Sequence, residues 1–318
     1  MFIEEHMNDY DVTRICNILQ VSRSSFYFYC KHNVPQRTID DKKLKELIMK
    51  LWIDNYKRYG APKIHKVLDK YHNIHISLKK VQRLMKSMNI KSIIIKSYKP
   101  KRSKPDEGDF VNILKRDFTA YGINEKWVSD ITYVWTDEFG WCYLATILDL
   151  YSKRLIGWKF GKRMIAELVE EALENALSTR GLNKVLVLHS DRGKQYTAEI
   201  YRSYCNSVEL IQMSYSAKGC PYDNAPMESF NSIIKKELVN HTHYETFEQA
   251  YLSIFTFIEK WYNRERIHGS IRNMTPLEFE TSIQIWDKFL EKTCPINRPR
   301  SKLFGIDLVD DKGGALIC

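Results

Sequence analysis

The sequence predicts an α/β fold: a mixed five-stranded sheet with flanking helices, preceded by all-α segments of helix-turn-helix character. Three observations carry this. Apolar residues recur at helical spacing up to about residue 90 and at strand spacing from about 111 onwards. After that change the segments run strand, strand, strand, then helix–strand–helix–strand–helix, the order of an α/β sandwich around one sheet. Between the two regimes, Lys96, Lys99, Lys101, Arg102 and Lys104 crowd together with Pro100 and Pro105, as in an extended basic linker.

In chain order, Ile15, Ile18 and Leu19 have the spacing of a buried helix face. Gln20-Val-Ser22 forms a turn, and Ser22 is placed to cap a second helix over Arg23–Lys31. The pair has the form of half a helix-turn-helix module. Leu44, Leu47, Ile48, Leu51 and Trp52 line a third helix. Gly60-Ala-Pro62 interrupts the pattern, and residues 63–71 resume it. Ser77 caps a helix running to about Met88, with Leu78, Val81, Leu84 and Met85 on an apolar face and Lys79, Lys80, Arg83 and Lys86 on a basic one. Third in a trihelical unit, such a helix suits a DNA major groove; an ordinary solvated face is the alternative.

In the second half, residues 128–135, 142–148 and 154–160 read as strands, with turns at Asp137–Gly140 and Asp149–Lys153. Residues 164–179 form an amphipathic helix, 184–189 a buried strand, 198–205 a helix and 211–214 a short strand. A helix over 226–238 has Pro226 in its first turn and Asp223 or Asn224 as its cap. Residues 247–262 form a last amphipathic helix, and nothing after about 282 carries a readable motif. A right-handed crossover lays the fourth strand parallel to the first and brings Asp130 and Asp191 together.

The net charge of +10, 49 Lys and Arg against 39 Asp and Glu, indicates a polyanionic partner, nucleic acid first among them. Seven cysteines without a C-x-x-C pair fit free thiols in a reducing cytoplasm rather than a disulfide framework or zinc knuckle. Glu4 and Glu5 exclude a signal peptide, and no run suits a membrane span. The expected protein is cytoplasmic.

Three carboxylates stand out. Asp130 lies in the strand-like Trp127–Tyr133 run, Asp191 follows the apolar Val185–Leu188 run, and Glu228 opens the 226–238 helix. Two strand-end aspartates and a helix-borne glutamate can converge as hard oxygen ligands for Mg²⁺. Two such ions, about 4 Å apart, would clamp the attacking and leaving oxygens of a phosphoryl transfer. Taken singly, an acid at a strand end is more often a solvated loop cap than a metal ligand. Asp149, which also ends a strand, reads as a turn residue.

The segments Trp127-Val-Ser-Asp-Ile-Thr-Tyr133, Tyr143–Leu150, Ile156-Gly-Trp158, His189-Ser-Asp-Arg-Gly-Lys-Gln-Tyr196, Asp223-Asn-Ala-Pro-Met-Glu-Ser-Phe230 and Tyr262-Asn-Arg-Glu-Arg-Ile-His268 together resemble a DDE transposase. More narrowly, the chain resembles the OrfB-type transposases of the IS-three family of bacterial insertion sequences. Arg58-Tyr-Gly-Ala-Pro-Lys-Ile64 resembles that family's upstream helix-turn-helix region. The resemblance implies an RNase H-like, integrase-type core and Asp130, Asp191 and Glu228 as both catalytic and metal-holding residues. It also implies two Mg²⁺ ions, with Mn²⁺ as a substitute. Thirty-six residues (192–227) separate Asp191 from Glu228, one more than is usual in that family.

The expected organisation is a helix-turn-helix-like segment (1–36), a helical DNA-binding domain (37–92), a basic linker (93–110), the catalytic core (111–281) and a tail (282–318). Lys235 falls on the same helix face as Glu228, since seven residues make nearly two turns at about 100° each. It matches the family's basic residue and is expected to hold a phosphate. Glu237 lies on the opposite face and outside the metal site. His189 and Gln195 are expected to shape the turn around Gly193. Arg264, Arg266 and His268 are candidate contacts to donor-DNA phosphates, and Lys79, Lys80, Arg83, Lys86, Lys101 and Arg102 are further DNA-binding candidates.

The implied activity is a polynucleotidyl transfer. Water frees a 3′-OH at an element end, and that hydroxyl attacks a second phosphodiester. The partners are double-stranded DNA, both terminal inverted repeats and target, with a homo-oligomer assembled on it and no membrane. The alternatives are a catalytically inactive DNA-binding regulator of the same element and a retroviral-type integrase; the latter normally carries a His/His/Cys/Cys zinc module.

Overall fold

A computed structural model of the chain describes His6 and residues 9–30, 36–94, 110–217 and 219–293. Lys101, Arg102, most of the basic linker and the tail beyond Thr293 lie outside the described residues. The chain forms two compact units that divide between Ser92 and Ile93.

The first unit is helical. Helices α1 (Val12–Ile18) and α2 (Arg23–Cys30) close on Ile15, Cys16 and Phe26. The Ser25 N–H donates to Ser22 Oγ at 3.1 Å, the expected cap. The expected apolar face is corrected: Ile18 is 72% and Leu19 43% exposed. Two short helices can enclose only a few side chains, and Cys16 takes the inward position instead.

Helices α3 (Gln36–Asp54), α4 (Ala61–His72) and α5 (Leu78–Ser87) bury Leu44, Ile48 and Leu51, then Ile64, Val67 and Leu68, then Val81, Leu84 and Met85. Pro62 sits in the first turn of α4, where its missing N–H costs nothing. Ser77 caps α5 by accepting from the Lys80 N–H at 3.2 Å. Leu78 remains exposed, outside the face expected for it.

The second unit is built on a five-stranded sheet of order β3-β2-β1-β4-β5, with β1 Lys126–Thr136, β2 Gly140–Asp149, β3 Leu155–Gly161, β4 Leu186–Ser190 and β5 Ile211–Tyr215. The first three strands are antiparallel, and β4 runs parallel to both β1 and β5. Helix α6 (Ala166–Thr179) covers one face with Leu168, Val169, Ala172, Leu173 and Ala176. Gly157 allows its close approach, because a Cβ there would collide with Ala172 O and Ala176. A helical turn at Lys194–Thr197, helix α7 (Glu199–Ser207) and helix α8 (Ala225–Glu237) follow.

Helix α9 (Phe247–Phe255) does not continue as the regular helix expected to Tyr262. It widens into a π-helix over Thr256–Glu265, which closes with Arg266 N–H donating to Trp261 O at 2.7 Å. The wider turn lets Trp261, Tyr262 and Asn263 all be buried in succession. Helix α10 (Pro276–Thr293) opens on a capping box between Thr275 and Glu278 and passes straight through residue 282. Its buried Glu280 pairs with Arg154 and Arg180, and Ile283 extends the same inward face. No helix among the described residues is long and apolar enough to cross a membrane.

Candidate active site

The parallel pairing of β1 with β4 ends at Val128 opposite His189. Two steps beyond it stand Asp130 on β1 and Asp191 just past β4, so the two acids lie side by side past the end of the β1–β4 pairing. Asp130 lies inside β1 rather than at a strand end as expected, because β1 runs on to Thr136 against β2. The parallel pairing of the fourth strand beside the first, expected from sequence, produces this register. Gly193 shapes the turn after Asp191: its N–H donates to Asp191 Oδ1 at 2.9 Å, and a Cβ there would crowd that oxygen.

Helix α8 approaches from the other side. Asn224 Nδ2 donates to Ser129 O at 2.9 Å, which pins the start of the helix one residue before Asp130. Asn231 Nδ2 donates to Asp130 Oδ2 at 2.8 Å, and Asp130 Oδ1 accepts from the Ile131 N–H at 2.8 Å. Glu228, Asn231 and Lys235 follow i, i+3, i+7 and so share one face of α8. Asn231 is the residue that sequence reasoning missed. Its spacing from Glu228 and Lys235 was the available signal, and a neutral amide drew no attention.

The electrostatics of Asp130 record this convergence. Burial, the negative charge of Asp191 and that of Glu228 push its pKa up to about 7, while the Ile131 N–H and the Lys235 ammonium oppose the shift. Burial also raises the pKa of Glu228, which is half-buried, and of Asp191, although Asp191 retains surface access. Among the described residues no three His, Cys, Asp or Glu side chains are drawn into a ready ligand cluster. Unscreened carboxylates repel one another, which adds to burial, the larger cause of the raised Asp130 pKa. The donor chemistry nevertheless suits a hard divalent cation. Three carboxylates border the site, and the buried Asn231 Oδ1 and Thr132 Oγ1 are oxygens with no protein hydrogen-bond partner.

The remaining candidates separate by environment. His189 is fully buried, with Nδ1 on Ser214 Oγ (2.8 Å) and Nε2 on Ser216 Oγ (3.0 Å). Burial lowers its pKa to about 4, which keeps the ring neutral near pH 7, and both ring nitrogens are engaged by the two serines. Gln195 Nε2 donates to Met164 O at 3.2 Å. Asp149 is the turn residue expected: it accepts from the N–H groups of Asn124, Tyr151 and Ser152.

Asp223 and Asn224 do not cap α8 through their side chains, a correction to the expectation. Asn224 is spent on Ser129, and Asp223 accepts from Arg116, Asn112 and the Ala217 N–H. Arg266 and His268 are also corrected. Both are buried; Arg266 pairs with Glu237 at 3.0 Å and its Nη1 lies 3.3 Å from the His268 ring. Their polar atoms serve the interior, because the π-helix turns this segment inward. Arg264 is exposed. On α5, Lys79 and Lys86 are exposed, whereas Lys80 and Arg83 both pair with Asp41 of α3, at 3.0 and 2.8 Å.

Comparison with known proteins identifies the family of the two units. The HTH-like domain family matches residues 38–98, and two integrase core domain families match 120–221 and 209–276. The chain is 33% identical over 283 residues to the transposase InsF for insertion sequence IS3A of Escherichia coli K12, covering 88% of this chain and 97% of that protein. It is 35% identical over 254 residues to the transposase for insertion sequence element IS904 of Lactococcus lactis, covering 78% of this chain and 98% of that protein. Among solved structures it is similar to the HTLV-2 integrase catalytic core domain in complex with magnesium, with TM-score 0.37 and 18% identity over 49% of this chain and 95% of that one. A helical HTH-like unit, an integrase-type α/β core and identity along nearly the full length of these relatives make the chain a member of the IS3-type insertion-sequence transposase family, polynucleotidyl transferases of DNA transposition and recombination.

Proposed function

We propose that Asp130, Asp191 and Glu228 form a DDE-type site that holds Mg²⁺ and cleaves and joins DNA strands at the ends of an insertion sequence. One observation carries the reading: Asp130 and Asp191 lie side by side past the β1–β4 pairing, and Asn231, one turn from Glu228 on α8, donates to Asp130 at 2.8 Å, although the three acids come from separate segments. The bound cations would polarise the phosphodiester and assist ionisation of the attacking hydroxyl. The chain's own residues do the holding. Asn231 fixes the rotamer of Asp130, and Lys235 places a positive charge beside the carboxylates where a phosphate oxygen would otherwise be repelled.

Residues 37–92 would bind double-stranded DNA through α5, with Lys79 and Lys86 as its open cations, and Lys101 and Arg102 would extend that contact along the 93–110 linker. Arg264 would add a phosphate contact from the core. The protein would act in the cytoplasm on terminal repeats and target DNA, as a homo-oligomer on that DNA. Asp130→Asn, Asp191→Asn and Glu228→Gln each remove a charged oxygen at nearly constant volume. Each should lower strand cleavage by about a thousandfold, the loss typical of a key electrostatic group, with end binding in a gel-shift assay nearly intact. A variant that cleaves at the wild-type rate in Mg²⁺ removes its residue from the site. A wild-type chain that binds ends and never cuts them would be the inactive regulator instead.

A further inference from the structure

We infer that residues 110–116 are a strap that positions the segments bearing Asp191 and Glu228 relative to one another, with Arg116, Asn112 and Asp223 as positioning residues. The inference rests on the proposed DDE site and adds residues to it that no ligand role requires.

The strap grips both segments. At its start, Phe110 lies edge-on to Tyr215 (4.9 Å between ring centroids) and beneath the guanidinium groups of Arg192 and Arg202, at 5.9 and 5.8 Å. Phe110 O accepts from Arg192 Nη2 at 3.1 Å, and Arg192 is the neighbour of Asp191. Val111 O accepts from the Tyr215 N–H at 3.0 Å. The N–H groups of Ile113 and Leu114 converge on Ser214 Oγ, which also meets His189. At its end, Arg116 Nε and Asn112 Nδ2 donate to the two oxygens of Asp223, Arg116 at 2.5 Å and Asn112 at 3.0 Å. Asp223 is 3% exposed and also holds the Ala217 N–H.

Asp223 leads directly into α8 and Glu228. The segments bearing Asp191 and Glu228 also meet directly, where the Ser216 N–H donates to Ser190 O at 2.9 Å and Ser216 Oγ meets His189. The strap adds bonds to both, including those to the Asp223 carboxylate. A charge-assisted contact to a buried carboxylate is short and directional, so Asp223 fixes where α8 begins and hence where Glu228 and Asn231 stand. Groups that orient ligands without touching the metal commonly change metal affinity 10–100-fold.

The test uses the full chain with an end-bearing duplex. Arg116→Ala and Asp223→Asn should each raise the Mg²⁺ concentration for half-maximal cleavage about tenfold, in line with that range, while end affinity stays unchanged. Without DNA or metal, peptides covering 211–225 should exchange amide hydrogens faster in both variants, and the thermal shift produced by Mg²⁺ should shrink. Combining the two substitutions should do no more than either alone, because both break the same link. Arg116→Lys should recover part of the loss. If Arg116→Ala folds poorly, Asn112→Ala with the same readouts decides. Unchanged Mg²⁺ dependence, unchanged exchange or fully additive effects would overturn the strap. Asp130→Asn separates the two readings: its full activity would sink the DDE site, whereas its inactivity beside an unchanged Arg116→Ala sinks the strap alone.

Discussion

Helix α8 carries two glutamates with opposite surroundings. Glu237 is buried against Arg266, whose guanidinium reaches both carboxylate oxygens, and against Trp261, whose indole N–H donates at 3.1 Å. Glu228 is half-buried near two aspartates, and burial raises its pKa. The first carboxylate is answered inside the protein, and the second is left for something outside it. A compensated charge belongs to the fold, whereas an uncompensated one marks a site and costs folding energy to keep.

The sharpest way to break this comparison is to substitute both ends. Arg266→Ala strands Glu237 as a buried, uncompensated charge and should cost about 3–5 kcal/mol of unfolding free energy, measured by urea denaturation. Glu228→Gln should change stability by less than about 1 kcal/mol, or raise it, by relieving repulsion at the site. Equal losses from the two substitutions would erase the distinction.

His189 extends the same contrast to pH. Its folded pKa of about 4 lies below the ordinary value near 6.5, so the unfolded chain binds more protons between those pH values. The stability held by the neutral ring is therefore complete above about pH 6.5 and is lost as pH falls toward 4, by up to about 3 kcal/mol. His189→Asn should flatten that part of the acid limb. A stability–pH profile identical to wild type between pH 4 and 6.5 would remove His189 as its source.

Lys235 and Lys236 are neighbours on α8 separated by about 100° around the helix. Lys235→Ala should lower both cleavage and strand transfer about tenfold, the effect of about 1.4 kcal/mol in the barrier, with helix content and melting temperature unchanged. Lys235→Arg should keep part of the activity, and Lys236→Ala nearly all. Equal activities for the two alanine variants, at matched protein and Mg²⁺, would return Lys235 to the surface.

The smallest effect concerns α5. Lys79→Ala and Lys86→Ala should each reduce the slope of log affinity against log salt by about 0.9, one phosphate contact apiece. Lys80→Ala should change it less, because Asp41 already holds that ammonium at 3.0 Å. A larger change at Lys80 than at Lys79 would show that DNA displaces Asp41.

Most of the fold was legible before any coordinates. The turns at Gly140 and after Asp149 and the order of strands and helices report local burial, which neighbouring residues along the chain share, although the first strand begins at Lys126 rather than near 111. Asp191 and Glu228 were legible as candidates because a strand end and a helix start can be read from the same periodicity, whereas Asp130 lies inside β1 and was legible only through its motif. The partners were not. That Arg266 answers Glu237, that Asp223 holds Arg116 rather than capping α8, that Asn231 reaches Asp130, and that Ile18 stays outside while Cys16 goes in are settled by residues distant in sequence or by the small size of a core. Periodicity states which side of an element is buried on average. Which charge meets which is decided by crossing angles and by a π-helical turn that a local pattern does not encode. Sequence alone thus determined where the acids lie along the chain, and tertiary structure decided which of them were left uncompensated, because compensation requires a cation brought from elsewhere in the fold.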